Sequence, residues 1–202
     1  AQAAFSPDRL APTFPVHRAE TPRENGLYGL QENLDPRRWK LDVFAGTSKE
    51  PVRTFTLADV QRLPKVDMVA EHKCIEGWST IVHWTGCRLT DFLQAYRLGS
   101  KSGGGIDLRD RPNDLFRNVG METPDRGYYI GMDMPSALHP QTLLCYAMNG
   151  KPLAAAHGAP LRLATTVKYG IKCIKRIGAI RFDDDRPADF WNESGYDWYA
   201  GL

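Results

Sequence analysis

Glu71-His72-Lys73-Cys74-Ile75-Glu76-Gly77-Trp78-Ser79 gathers a thiol, two carboxylates, an imidazole and an ammonium within one short stretch. Cys74 is the soft ligand at its centre. The positive neighbours His72 and Lys73 are expected to favour the thiolate, the form that binds metals or attacks electrophiles. A lone cysteine at a strand end is also commonly a small buried hydrophobe. A zinc or nucleophilic site made of Cys74 with His72 or His83 is a further reading. A second stretch, His157-Gly158-Ala159-Pro160-Leu161-Arg162 followed by Lys168, Tyr169-Gly170, Lys172 and Lys175, collects cationic groups on loops that flank strands. It suits a phosphate, with arginine as a fork, lysine as a point charge and backbone N–H groups freed near Gly170. Lys172 and Lys175 would not share a face on a strand, but a Gly-led turn would let both face one anion. A solvated basic strand edge explains the same residues.

These groups need a scaffold, and the chain is long enough for one sizeable core, at 202 residues with 42% apolar and 25% charged. The formal net charge of +2 gives no footprint for nucleic acid or an anionic membrane. No run approaches the roughly 18 apolar residues of a membrane span. The four cysteines, Cys74, Cys87, Cys145 and Cys173, form no Cys-x-x-Cys pair, which argues against a zinc knuckle, a thioredoxin-type site or covalent c-type haem. The small-residue start Ala1-Gln2-Ala3-Ala4 is compatible with a processed export product.

Residues 1–38, punctuated by five prolines, read as an extended N-terminal arm, and residues 39–202 as one domain. Asn25-Gly26 in the arm marks a turn, and Asn25 with Tyr28 beside it could face a polar ligand. Alternation predicts strands over Trp39–Phe44, Val52–Leu57, Val66–Ala70, Leu161–Val167 and Lys172–Phe182. Further strands are expected at Asn118–Glu122, after the Asp125-Arg126-Gly127 turn, and at Leu143–Met148, which Asn149-Gly150 closes. Thr56 with Asp59 starts a short helix that Pro64 stops. Thr85–Leu89 is expected to turn into a second helix capped by Thr90, and Met134–Leu138 is helical. The triplet Gly103-Gly104-Gly105 lacks the ending of a P-loop. The sum is an α+β domain with a mixed sheet.

Taken in order, the motifs resemble the sulfite oxidase-type molybdopterin domain. The carriers are Lys73–Ser79, Ala147–Leu153 with its Asn-Gly turn, His157–Arg162, Tyr169–Lys175, and Trp191 followed by Tyr196. The resemblance covers roughly residues 21–199 and implies a mixed β-sheet fold that binds molybdenum with a single molybdopterin. It implies that Cys74 is the protein's ligand to molybdenum. It places His157, Arg162 and Lys175, with the backbone near Gly170 and Lys172, at the pterin and its phosphate. Asn25 and Tyr28 would reach the cofactor, Tyr196 would lie beside the metal, and Asp125 matches a catalytic position loosely.

Sulfite oxidases proper follow the ligand cysteine with Ala-Gly-Asn-Arg-Arg, whose arginines help receive sulfite. Here Glu76 puts a carboxylate where an oxyanion would be repelled. That context is similar to the bacterial periplasmic methionine-sulfoxide reductase catalytic subunits, as is the tail Trp191-Asn192 through Tyr199. The implied activity is oxygen-atom transfer, either reduction of an S-oxide or N-oxide or oxidation of a small sulfur substrate. Tyr196 would hydrogen-bond the transferable oxygen and Glu76 would handle its proton. Electrons would be exchanged with a separate partner, a membrane haem subunit or a soluble cytochrome. A sulfite dehydrogenase-like enzyme and a degenerate binding-only adaptor are the alternatives. The resemblance further implies a periplasmic monomer without haem and without the C-terminal immunoglobulin-like dimerisation domain, its signal peptide lying outside this sequence.

Overall fold

The computed structural model describes residues 9–30 and 34–202, so parts of the arm, residues 1–8 and 31–33, lie outside it. Alternating sequence gives strands β1 (Leu41–Ala45), β2 (Arg53–Phe55), β3 (Val66–Lys73), β4 (Ser79–Arg88), β5 (Asn118–Glu122), β6 (Tyr129–Asp133), β7 (Thr142–Met148), β8 (Lys151–Pro152), β9 (Arg162–Thr165) and β10 (Ala179–Asp183). Helices α1 (Leu57–Gln61), α2 (Leu89–Ala95) and α3 (Met134–Ala137) are all short. No helix among the described residues is long and apolar enough to cross a membrane.

The strands form two sheets. One has the order β2-β1-β10-β5-β6, with β1 and β10 parallel and its other pairs antiparallel. The other has the order β3-β4-β7-β8, with β9 also pairing β7. This is the mixed α+β architecture that the sequence predicts. The main core draws on both sheets and on α1 and α2, through Leu41, Val43, Phe55, Val60, Phe92, Leu93, Leu144, Leu163, Ile180 and Phe182. A second cluster covers the other face of the β3-β4-β7 sheet, through Met68, Val82, Trp84, Leu143, Cys145 and Ala164. The neighbours Leu143 and Leu144 fall in different clusters because strand side chains alternate between faces. Each fully buried large aliphatic or aromatic side chain contributes about 1.5–3 kcal/mol.

Local chemistry explains most boundaries. Thr56 and Asp59 form a reciprocal capping box at the start of α1, with Thr56 N–H donating to Asp59 Oδ2 at 2.8 Å. The expected turn at Thr85–Leu89 is instead the continuation of β4, which slips register between Thr85 and Gly86. A Cβ at Gly86 would lie 2.0 Å from the Leu144 carbonyl oxygen, so the glycine here serves close strand approach rather than a turn. Helix α2 accordingly starts at Leu89, and Thr90 sits inside it and donates to the Leu138 carbonyl at 3.1 Å. The run Lys172–Phe182 becomes strand only from Ala179, because Gly170–Lys172 is a turn of 3₁₀ helix.

Two features carry the site. The β3–β4 hairpin is closed by Cys74–Trp78, with the Cys74 N–H donating to the Trp78 carbonyl at 2.9 Å and Gly77 at φ +88°. The arm runs along β3 and β4, where Phe14 N–H bonds the Val69 carbonyl at 2.9 Å and Glu20 N–H the Ile81 carbonyl at 2.8 Å. It thereby delivers residues 22–28 to the hairpin tip.

Candidate active site

A cavity of about 390 Å³ lies between the hairpin tip, the arm, the Gly170–Lys175 segment and the tail. Asn25, Tyr28, Cys74, Glu76, Arg162, Gly170, Lys175 and Tyr196 all line it. At the hairpin end, Asn25 Nδ2 is 3.6 Å from Cys74 Sγ and donates to Glu76 Oε2 at 3.2 Å. Trp78 Nε1 donates to the same oxygen at 2.9 Å. Asn25 holds φ at +31°, a conformation asparagine tolerates better than most residues.

The thiolate expected from positive neighbours does not follow from this geometry. Burial pushes the Cys74 thiol up, and the charge of Glu76 adds to it. Lys73 is turned to Glu71 at 3.6 Å, and burial pushes His72 down to about 3, with Arg162 and Lys175 adding to the effect, so that its imidazole is neutral. A thiolate here needs a metal to displace the proton. Cys74, Cys87, Cys145 and Cys173 are all free and buried. His83 is engaged by Asp67 at 3.0 Å, and no cluster of three His, Cys, Asp or Glu that could hold a metal occurs among the described residues. A metal at Cys74 therefore needs further ligands from a cofactor.

The same cavity is also lined by cations. The Arg162 guanidinium is 3% exposed and donates to the carbonyls of His157 at 3.1 Å and Cys173 at 3.2 Å. It lies 4.6 Å from the centre of the Trp84 ring and has no carboxylate partner among the described residues. Lys175 donates to the Glu24 carbonyl, and burial with the neighbouring Arg162 pushes it down to about 8. A Cβ at Gly170 would lie 3.0 Å from His72 Nε2, so the wall is as thin there as a residue allows. Gly158, at φ +94°, packs where a Cβ would meet the Lys175 backbone at 2.8 Å, holding the His157 turn against the Lys175 segment. His157 does not line the cavity, but its Nδ1 is buried without a hydrogen-bond partner. A desolvated guanidinium without a counter-charge, an orphaned imidazole nitrogen and a glycine-thin wall fit an anionic, hydrogen-bonding cofactor.

Other expected residues are placed elsewhere. The Lys172 side chain turns away from the cavity, donating to Asp189 and to the Gly131 carbonyl at 2.9 Å. Its position on the 3₁₀ turn sends it to the opposite side from Lys175. Asp125 does not line the cavity, and accepts from Thr123 Oγ1 at 2.6 Å and Gly127 N at 2.9 Å to hold its turn. The fourth residue of that motif, Tyr128, is the one at the cavity, with its hydroxyl bonded to the Ile171 carbonyl. Tyr28 packs against Tyr128, Phe190 and Trp191, and Tyr196 meets the edge of Trp191 at 5.4 Å.

Sequence reasoning missed Arg23, Trp78, Tyr128 and Cys173, and gave His72 a zinc or nucleophilic role and a part in favouring the thiolate but no place at a cofactor, although all five line the cavity. For His72 the signal was available, since strand alternation puts it on the same side as Cys74. Arg23 had no signal, because only the docked arm brings it to Trp78.

Comparison with known proteins agrees with this geometry. Residues 28–191 match the family described as "Oxidoreductase molybdopterin binding domain". A putative protein-methionine-sulfoxide reductase subunit of Azospira oryzae is 34% identical over 98% of this chain and 70% of its own length. Protein-methionine-sulfoxide reductase catalytic subunits of Campylobacter jejuni and Ralstonia nicotianae are 31% and 32% identical over 86% and 84% of this chain. The chain spans 59% and 52% of the length of these two. The sulfane dehydrogenase SoxCD from Paracoccus pantotrophus shares the fold, with a TM-score of 0.60 at 18% identity over 77% of this chain and 40% of its own. With its thiol, its unpaired buried guanidinium and this match over most of its length, the chain belongs to the sulfite oxidase-type family of molybdopterin-binding oxidoreductase domains.

Proposed function

We propose that the protein reduces a neutral S-oxide or N-oxide by oxygen-atom transfer, with electrons supplied by a separate partner. The observation that carries this reading is one cavity lined by Cys74 and Glu76 and also by the buried Arg162, which has no carboxylate partner among the described residues. Molybdenum held by a molybdopterin supplies two-electron oxygen-transfer chemistry when bound. Cys74 is the residue suited to ligate it, as a soft thiolate for a high-valent thiophilic metal. Arg162 and Lys175 are suited to the cofactor's phosphate, and His157 Nδ1 to a polar edge of the pterin.

The remaining residues have separable tasks. Asn25 and Trp78 both donate to Glu76 Oε2, which leaves Oε1 to hold or deliver one of the two protons that oxide reduction consumes as its oxygen leaves as water. Tyr196, 41% exposed at the mouth, has a hydroxyl suited to orient the substrate's oxygen. The Glu76 carboxylate disfavours sulfite, and the names of the Campylobacter and Ralstonia relatives support a sulfoxide as substrate. A membrane haem subunit or a soluble cytochrome would serve as electron donor, and the periplasm would be the compartment.

The test is turnover by metal-loaded protein. With a reduced viologen dye, methionine sulfoxide is expected to be consumed, and with an oxidising dye, sulfite is expected to be left untouched. Sulfite oxidation without sulfoxide reduction would overturn the substrate and direction proposed here.

A further inference from the structure

With Arg162 and Lys175 taken by the cofactor's phosphate, Arg23, which lines the same cavity beside Trp78, stays available to a small anion. A site of that sign attracts small anions unless something at the entrance rejects them. Glu76 is the charge of the right sign, but it is exposed. An exposed glutamate retains much of its rotamer freedom. A carboxylate that wanders into solvent is largely screened from the cavity. Its effect on a ligand therefore depends on what fixes it.

Two donors do so. Asn25 Nδ2 lies 3.2 Å from Glu76 Oε2, but the same nitrogen lies 3.6 Å from Cys74 Sγ, so it is shared. The Trp78 indole N–H has no such competition and lies 2.9 Å from Oε2. An indole nitrogen donates only, so the contact cannot reverse its polarity. Trp78 is itself braced, with the Arg23 guanidinium 5.6 Å from its ring centre and the His72 ring 6.0 Å away. The Cys74–Trp78 turn, closed by the 2.9 Å bond from Cys74 N–H to the Trp78 carbonyl, ties the indole, the carboxylate and the thiol into one rigid unit.

We propose that Trp78 is a positioning residue that sets specificity: its indole N–H fixes the Glu76 carboxylate at the cavity mouth, so the site admits neutral oxides and turns away oxyanions. This rests on the reading of Glu76 and Cys74 given above, and assigns Trp78 the selectivity of that site. Arg23 contributes by holding the indole, which is how the arm takes part in substrate choice.

The probe is sulfate, titrated into metal-loaded protein by calorimetry and measured as a competitive inhibitor of methionine sulfoxide reduction. Trp78→Phe keeps a ring under Arg23 and removes the donor. It is expected to bind sulfate about tenfold more tightly than the wild type. Glu76→Gln, an exposed isosteric change, is expected to do the same. The double variant W78F/E76Q is expected to bind sulfate no more tightly than E76Q alone, because both changes act through one carboxylate. Unchanged sulfate affinity in W78F, or additive effects in the double variant, overturns the proposal. Should W78F fail to fold, unchanged sulfate affinity in E76Q overturns it equally. Metal-loaded wild type that reduces no oxide defeats the functional reading instead, while the calorimetric comparison still decides the role of Trp78.

Discussion

Arg162 and Lys172 are both buried cations in one cationic stretch, 3% and 1% exposed, yet they stand in opposite electrostatic situations. Lys172 has its counter-charge built in, since Asp189 accepts from its ammonium and also from the Gly131 N–H at 3.0 Å. Its ammonium lies 5.1 Å from the centre of the Trp198 ring, which in turn packs where a Cβ on Gly131 would lie 2.7 Å away. Among the described residues, Arg162 has neutral carbonyls and the face of Trp84 as its partners. Dipoles orient a guanidinium but do not cancel its charge, and burial of a net charge is costly. The first cation ties the tail to the β-sheet. The second has no such carboxylate among the described residues, and it is the one that lines the cavity.

That contrast can be broken by substitution. The largest effect belongs to the hairpin tip that carries Cys74. Cys74→Ser is expected to leave the fold intact and to lower turnover by more than about a hundredfold, since even outer-shell partners of a metal ligand are worth 10–100-fold. Full turnover of the variant in the dye assay would remove Cys74 as the ligand.

Asp189→Asn strands the Lys172 ammonium and is expected to cost about 3–5 kcal/mol in denaturant unfolding. Molybdenum per folded molecule should be unchanged. A metal-poor but stable variant would mean that Lys172 serves the cofactor after all.

Arg162→Met is the converse. Replacing an uncompensated buried charge by an apolar side chain should change the stability of the cofactor-free protein by no more than about 1 kcal/mol. Molybdenum content by elemental analysis should fall about tenfold, the scale of one charge-assisted contact. A strongly destabilised variant with normal metal content would erase the distinction between the two cations.

Lys175 gives a milder, pH-dependent test. Its ammonium is pushed down to about 8, so it loses its charge as pH rises through that value. The unfolded chain stays protonated to higher pH, so the cofactor-free protein gains stability between about pH 8 and the ordinary lysine range. Binding of a phosphate-bearing cofactor should weaken over the same rise. Loading at pH 9 is expected to fall below loading at pH 7, and Lys175→Arg should flatten that difference.

The smallest effect is a control away from the site, where Thr56→Ala breaks the α1 capping box at about 1 kcal/mol and leaves metal content alone.

Much of this was legible because it is local. Thr56 and Asp59 cap a helix through bonds three residues apart. Asn149-Gly150 closes β7, with Asn149 at φ +51° and Gly150 at +74°. The Cys74 and Arg162 motifs are short enough to read directly, and both line the cavity. Lys172 was not legible, because its partner lies on the tail and the direction of a side chain on a 3₁₀ turn depends on where that turn docks. The protonation of Cys74 is not legible for a similar reason. Charges adjacent in sequence do not act together in space, because Lys73 is paired with Glu71 and His72 is desolvated.

The sequence by itself determined the residue chemistry on offer: a soft ligand, a carboxylate two residues on, and a cluster of cationic groups in a mixed α+β chain. Those are properties of residue types and short spacings. Only the tertiary structure decided which cations face the cavity, which are cancelled by a carboxylate, and that Trp78 and the arm hold Glu76 in place. Each of these depends on contacts between segments far apart in the chain, and burial sets the energy of a charge through its surroundings rather than its neighbours in sequence.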